Sequence, residues 1–210
     1  MKLIDEKTTY FEGEMDIADD VVIYPNNYFM GKVTIGSGSI IYPNNIIKDT
    51  TIGENCTVTS SHITEANIGN DCSVGPYAYL RPHSVVGNGC RIGDFVELKN
   101  ARLGDKTKVS HLSYVGDCEV GDNCNIGCGV VFVNYDGVKK QFSKVGNHCF
   151  VGSNCNVIAP VNIEDESYIA AGTTVTQDIG SDSFVIGRAR EVIKPNRATA
   201  MRTKFSKKED

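Results

Sequence analysis

The 210-residue chain has no tryptophan, only 6 prolines, and no apolar run approaching the roughly 18 residues needed to span a bilayer. Its amino terminus, Met1 to Asp5, lacks the apolar core of an export signal, so no membrane segment is expected and the expected location is the cytoplasm. Basic charge is not in excess: 21 Lys and Arg face 26 Asp and Glu, a formal charge of −5. That balance argues against a surface built to neutralise nucleic-acid phosphates. No Cys-x-x-Cys pair occurs, so the 8 cysteines carry no zinc signature, and disulfide frameworks belong to short exported chains. Reduced thiols are expected.

What the sequence does contain is a repeat. An aliphatic residue followed by glycine recurs at Ile35, Ile52, Ile68, Val74, Val86, Ile92, Leu103, Val115, Val120, Ile126, Val145 and Val151. Between these positions aliphatic residues step by six, with occasional fives, as in Val74, Leu80, Val86, Ile92, Leu98, Leu103, Val109 and Val115. A six-residue step fits neither the 3.6 period of a helix nor simple alternation, whereas a short strand plus a glycine-bearing corner does. Three such sides make a coil of about 18 residues, and coils stack at about 4.8 Å, so the expected fold is all-β: a parallel β-helix shaped as a triangular prism. Aliphatic anchors point to its axis, each contributing about 1.5–3 kcal/mol on burial.

The expected organisation is an N-terminal cap over residues 1–20, the prism over 21–188, and a tail over 189–210 rich in basic residues (Arg202, Lys204, Lys207, Lys208). After Phe132 the repeat breaks, and residues 133–144 read as an extruded loop with an Asp136-Gly137 turn suited to a projecting ribbon. Seven cysteines (Cys56, Cys72, Cys90, Cys118, Cys124, Cys149, Cys155) share one slot two residues before an anchor, where a free thiol acts as a compact hydrophobe. Cys128 lies outside that slot.

Stacking converts spacing into proximity. Arg81 and Lys99 each follow an anchor and lie one coil apart, which calls either for an anion such as phosphate between them or for solvation and pairing with Glu97. A second column holds His111, Cys128, Ser153 and Ala171, each two residues after an anchor, with Arg188 as a looser continuation. The count across the loop assumes that Val145 is the third side of its coil. Such a column suits an elongated ligand lying along the prism with its reactive end at His111, a side chain able to exchange protons near neutral pH.

These residues also carry a resemblance. Leu80-Arg81-Pro82, Phe95-Val96-Glu97-Leu98-Lys99, His111-Leu112-Ser113-Tyr114-Val115-Gly116-Asp117, Asn134-Tyr135-Asp136-Gly137 and Ala170-Ala171-Gly172-Thr173-Thr174-Val175, in this order, resemble the acetyltransferase half of the bacterial bifunctional glucosamine-1-phosphate acetyltransferase/N-acetylglucosamine-1-phosphate uridyltransferase family. The likeness runs over roughly residues 10 to 190. It implies a left-handed β-helix, an exception to the usual right-handed crossover. It further implies that His111 is a general base, and that Arg81, Lys99, Tyr114, Asn125, Asn134 and Tyr135 bind the phosphosugar. Acetyl-CoA, the co-substrate, would lie along Cys128, Ser153, Ala171 and Arg188, with no metal required. A homotrimer is implied, with sites between subunits and Lys140 reaching the phosphate from a neighbour. Glu97 is expected either to orient His111 or to neutralise Lys99.

Departures from the pattern are Cys128 in place of alanine, Asn100 in place of a second lysine, and no Gly-x-Gly-Thr-Arg-Met nucleotidyltransferase loop. The expected activity is therefore acetylation of glucosamine-1-phosphate without uridyl transfer. Alternatives are an acetyltransferase for another amino sugar and a non-catalytic sugar-phosphate-binding scaffold. A zinc carbonic anhydrase of this architecture needs a closely spaced second histidine, and Gly116 stands five residues after His111.

Overall fold

The computed structural model describes residues 1–206, without the side chains of 204–206. Lys207 and Lys208, named above in the basic tail, lie outside the described residues. The chain winds into a left-handed parallel β-helix with three faces. The first face is an 11-stranded parallel sheet. The second and third share a 15-stranded sheet, because strands such as Asn27–Ile35, Glu97–Leu103 and Tyr114–Val120 run through the corner between them.

Register follows the anchors. On the first face Val74 pairs with Ile92, Ile92 with Val109, Val109 with Ile126 and Ile126 with Val151. On the second, Leu80 pairs with Leu98 and Leu98 with Val115. On the third, Leu103 pairs with Val120 and Val120 with Val145. All these anchors are buried, so like side chains stack on like along the axis and no separate globular core is required. The Val120–Val145 pair makes Val145 the third side of the coil that carries the loop, as the column count assumes.

Glycine plays a different part from the one its backbone freedom suggests. The left-handed corner positions are taken mainly by other residues, including Asn55 (φ 56°), Asp71 (φ 56°), Asn123 (φ 55°) and His148 (φ 56°). The glycine directly after an anchor is needed for close approach: a Cβ on Gly104 would lie 2.6 Å from the carbonyl carbon of Gly121 in the next coil. His148 is thus a corner residue.

Two further differences stand out. Parallel pairing begins well before Val22: Lys2–Leu3 pairs with Val22–Ile23, and Thr9–Ile17 pairs in register with Asn27–Ile35. This first coil lacks the aliphatic–glycine signal because it has a neighbour on one side only. It stacks Phe11 on Phe29 (centroids 5.1 Å apart) and leaves Phe11 exposed. The cysteine slot is also more polar than expected. Its buried thiols donate across the corner to carbonyl oxygens of the next coil, Cys72 to Gly87 and Cys124 to Gly146 both at 3.0 Å. Thr107 serves the same slot through its hydroxyl, donating to the Gly121 carbonyl at 2.7 Å. All eight cysteines are free, and Cys128 alone is partly exposed.

The loop leaves the prism after the strand Val131–Val133 and returns at Ser143–Val145. An antiparallel bridge joins Tyr135 to Lys140, giving the expected ribbon. Asp136 accepts from the Lys139 and Val138 amides at 2.8 Å and from the Gln141 side chain at 2.7 Å, and these bonds, the Lys139 one foremost, lower its pKa to about 2. Among the described residues no helix is long and apolar enough to cross a membrane.

Candidate active site

The edge between the first and second faces carries the column expected from spacing. Asp94, His111, Cys128, Ser153 and Ala171 each follow a first-face anchor by two residues, and hydrogen bonds tie successive coils there. Asp94 pairs in register with His111, the Asn154 amide donates to the Cys128 carbonyl at 2.8 Å, and the Gly172 amide donates to the Ser153 carbonyl at 2.8 Å. Arg188 joins the upper end, its guanidinium donating to the Ala171 carbonyl at 2.6 Å. The His111 side chain is half exposed, and its Nδ1 lies 2.5 Å from Asp94 Oδ1. That bond holds the Asp94 carboxyl below the ordinary carboxylate range. No other hydrogen bond engages the imidazole ring among the described residues.

The adjoining second face carries a polar network. Leu80, Leu98 and Val115 are stacked anchors, so the residues after them, Arg81 and Lys99, also stack. Neither cation is uncompensated. Arg81 is 2.8 Å from Glu97, a bond that raises its pKa, and its guanidinium lies over the Tyr79 ring, 5.9 Å from the centroid. Lys99 Nζ is 3.0 Å from Asp117 Oδ2. Asn100 donates to the other Asp117 oxygen at 2.8 Å, and the Asn134 amide bridges Asp117 (2.5 Å) to the Tyr114 hydroxyl (3.1 Å). Burial pushes the Asp117 carboxyl up, but the hydrogen bonds from Asn100, Lys99 and Asn134 outweigh it, and the net shift is downward.

These contacts bear out pairing with Glu97 for Arg81 and replace the partners expected for Glu97 itself. Among the described residues Glu97 pairs with Arg81 and contacts neither His111 nor Lys99, while Asp94 contacts the imidazole and Asp117 pairs with Lys99. Arg81 and Lys99 each have a carboxylate, so repulsion between bare charges does not by itself demand an anion. Both missed carboxylates had a signal. Asp94 follows anchor Ile92 by two residues, one coil before His111 in the same column. Asp117 follows Val115 by two, directly above Asn100.

Other expected site residues stay apart. Asn125 sits on the first face, pairing in register with Lys108 and Phe150, one residue before the inward Ile126. Outward side chains there and on the second face diverge. Tyr135 and Lys140 are at the loop, where the Lys140 ammonium lies 5.4 Å from the Tyr135 ring centroid. One residue beyond the His111 column, Tyr77, Phe95 and Leu112 occupy successive corners in the left-handed region (φ 58°, 54° and 49°), all exposed. Tyr77 and Phe95 stack there, their ring centroids 5.4 Å apart, and form an exposed apolar ridge with Leu112.

Comparison with known proteins agrees with this picture. A family model described as the GMPPB C-terminal domain matches residues 62–138, and one described as the hexapeptide repeat of succinyl-transferase matches residues 144–177. The chain is 50% identical over 192 residues, 91% of its length, to the bifunctional protein GlmU of Clostridium acetobutylicum, and 48% identical over 192 residues to that of Acetivibrio thermocellus. It spans 42% of the length of each of these curated relatives. Among solved structures, UDP-N-acetylglucosamine acyltransferase from Campylobacter jejuni aligns over 99% of this chain and 80% of its own at a TM-score of 0.55 and 20% identity, a likeness of fold. The resemblance read from the motifs therefore extends along nine-tenths of the chain.

Proposed function

We propose that the chain transfers an acetyl group from acetyl-CoA to the amine of glucosamine-1-phosphate, giving N-acetylglucosamine-1-phosphate. The observation that carries this reading is the half-exposed imidazole of His111 standing at the foot of Cys128, Ser153 and Ala171, beside the second-face network around Arg81 and Lys99. Small side chains along one edge allow a thin pantetheine arm to approach the backbone, and Arg188 supplies a cation at the far end.

In this reaction His111 takes a proton from the acceptor amine as the nitrogen attacks the thioester carbonyl. The new C–N bond forms, the C–S bond breaks, and the proton taken up by His111 passes to the departing sulfur, so that CoA leaves as the thiol and the imidazole is restored. Negative charge developing on the carbonyl oxygen is met by the Ser153 hydroxyl or the backbone N–H at Cys128, a contribution worth about 2.7–4 kcal/mol per donor. Arg81 and Lys99 receive the acceptor phosphate, with Tyr114 and Asn134 on the sugar.

We also propose a homotrimer with sites between subunits. Asn125 and the loop residues Tyr135 and Lys140 do not join the His111 patch within one copy, and the exposed Tyr77–Phe95–Leu112 ridge flanks that patch. A neighbouring copy packed on the ridge would supply the missing side chains. An acetyltransferase for an unphosphorylated amino sugar would keep His111 but have no use for Arg81 and Lys99. Release of CoA thiol with glucosamine-1-phosphate and with glucosamine as acceptors separates the two: the proposal expects kcat/KM at least tenfold higher for the phosphorylated acceptor, and equal values would contradict it.

A further inference from the structure

We infer that Asp94 is a positioning residue that holds His111 as the Nδ1–H tautomer and so keeps the Nε2 lone pair available to the acceptor amine. The inference rests on the reading of His111 as the base. A neutral imidazole has one N–H and one lone pair, and its neighbours decide which nitrogen carries which. A carboxylate can only accept, so Asp94 Oδ1 at 2.5 Å requires the proton on Nδ1. Nε2 then bears the lone pair, and it has no hydrogen-bond partner among the described residues.

The backbone fixes this arrangement. Strand Arg91–Asp94 pairs with Lys108–His111 in register, placing Asp94 opposite His111. Gly93, next to Asp94, has no room for a side chain: a Cβ there would lie 1.9 Å from the Ser110 carbonyl oxygen. The two coils are thus drawn together at this dyad. Among the described residues the Asp94 carboxylate makes no other side-chain bond, so the second-face network does not consume it. In the same slot of earlier coils stand Pro43, Ser60 and Pro76, none of them a carboxylate. Once His111 has taken the amine proton, the same carboxylate faces an imidazolium and stabilises it.

The test uses the full chain. Long-range 1H–15N spectra of His111 near pH 8, without substrate, read the tautomer directly in the unaltered protein and in Asp94→Ala. The expected result is the Nδ1–H form in the unaltered protein and a shift toward Nε2–H in the variant. With acetyl-CoA and glucosamine-1-phosphate, Asp94→Ala is expected to lower kcat about tenfold or more, with both KM values within about twofold and an unchanged melting temperature. The same tautomer in both proteins, or an unchanged kcat, would overturn the role of Asp94. Absence of acetyl transfer by the unaltered protein would instead overturn the functional reading, because the spectra require no turnover.

Discussion

Two edges of the prism use the same slot, two residues after an anchor, for opposite ends. On the third-to-first-face edge the slot holds Asn70, Asn88, Asp105, Asp122, Asn147 and Asp165, and each side-chain oxygen accepts the backbone N–H of the residue one coil earlier. Examples are Asp122 from the Asp105 amide at 2.7 Å and Asn147 from the Asp122 amide at 2.9 Å. On the first-to-second-face edge the slot holds Asp94, His111, Cys128, Ser153 and Ala171, and among the described residues none of these side chains closes onto the backbone below. Polar residues in a column are therefore not enough to mark a site. The difference is whether the backbone has already used their hydrogen-bonding capacity.

This contrast can be broken from the structural side. Gly104→Ala forces a Cβ against the backbone of Gly121 and the Asp122 carboxylate that holds the ladder edge, and neither the coil spacing nor the ladder can yield cheaply. We expect a loss of about 3 kcal/mol, seen as a melting temperature lower by several degrees, with kcat per folded molecule retained. Asn147→Ala removes one ladder acceptor and should cost about 1 kcal/mol, again without touching kcat. Acid sharpens the contrast on the second face. The folded Asp117 carboxyl titrates below its ordinary value near 3.9, so its stabilising contribution is complete above about pH 4 and is lost as pH falls through the folded value. Asp117→Asn should accordingly lower the melting temperature most near neutral pH and least in acid, where the native carboxyl is itself protonated, so that the acid limb of the profile flattens. The smallest effect expected is that of Cys128→Ala, with kcat within about threefold, because the proposed mechanism asks only for the backbone N–H at this position; a loss of a hundredfold would give the thiol a chemical role.

The prism was legible in the sequence because a six-residue step in aliphatic residues has few physical solutions, and Ile52, Ile68, Val86 and Leu103 stack as that step predicts. The His111–Cys128–Ser153–Ala171 column followed from the same arithmetic. What was not legible was which oppositely charged side chains would meet. Spacing places Glu97 beside both Arg81 and Lys99 but says nothing of rotamers, and the choice of Arg81 leaves Lys99 to Asp117. The first coil was hidden for another reason: at the end of a stack the inward residues face one neighbour, so Phe11 stands where later coils carry a buried anchor and Ile17-Ala18 stands opposite Ile35-Gly36. The glycines were located correctly, but stacking distance rather than backbone freedom explains them.

The central claim is that the column headed by His111 performs acyl transfer. Its most direct test is the steady-state rate of CoA release from acetyl-CoA with glucosamine-1-phosphate, measured for the unaltered protein and for His111→Ala at equal folded concentration. The account predicts turnover by the former and a kcat at least a hundredfold lower in the latter, with both melting at the same temperature. Equal rates in the two proteins would contradict it.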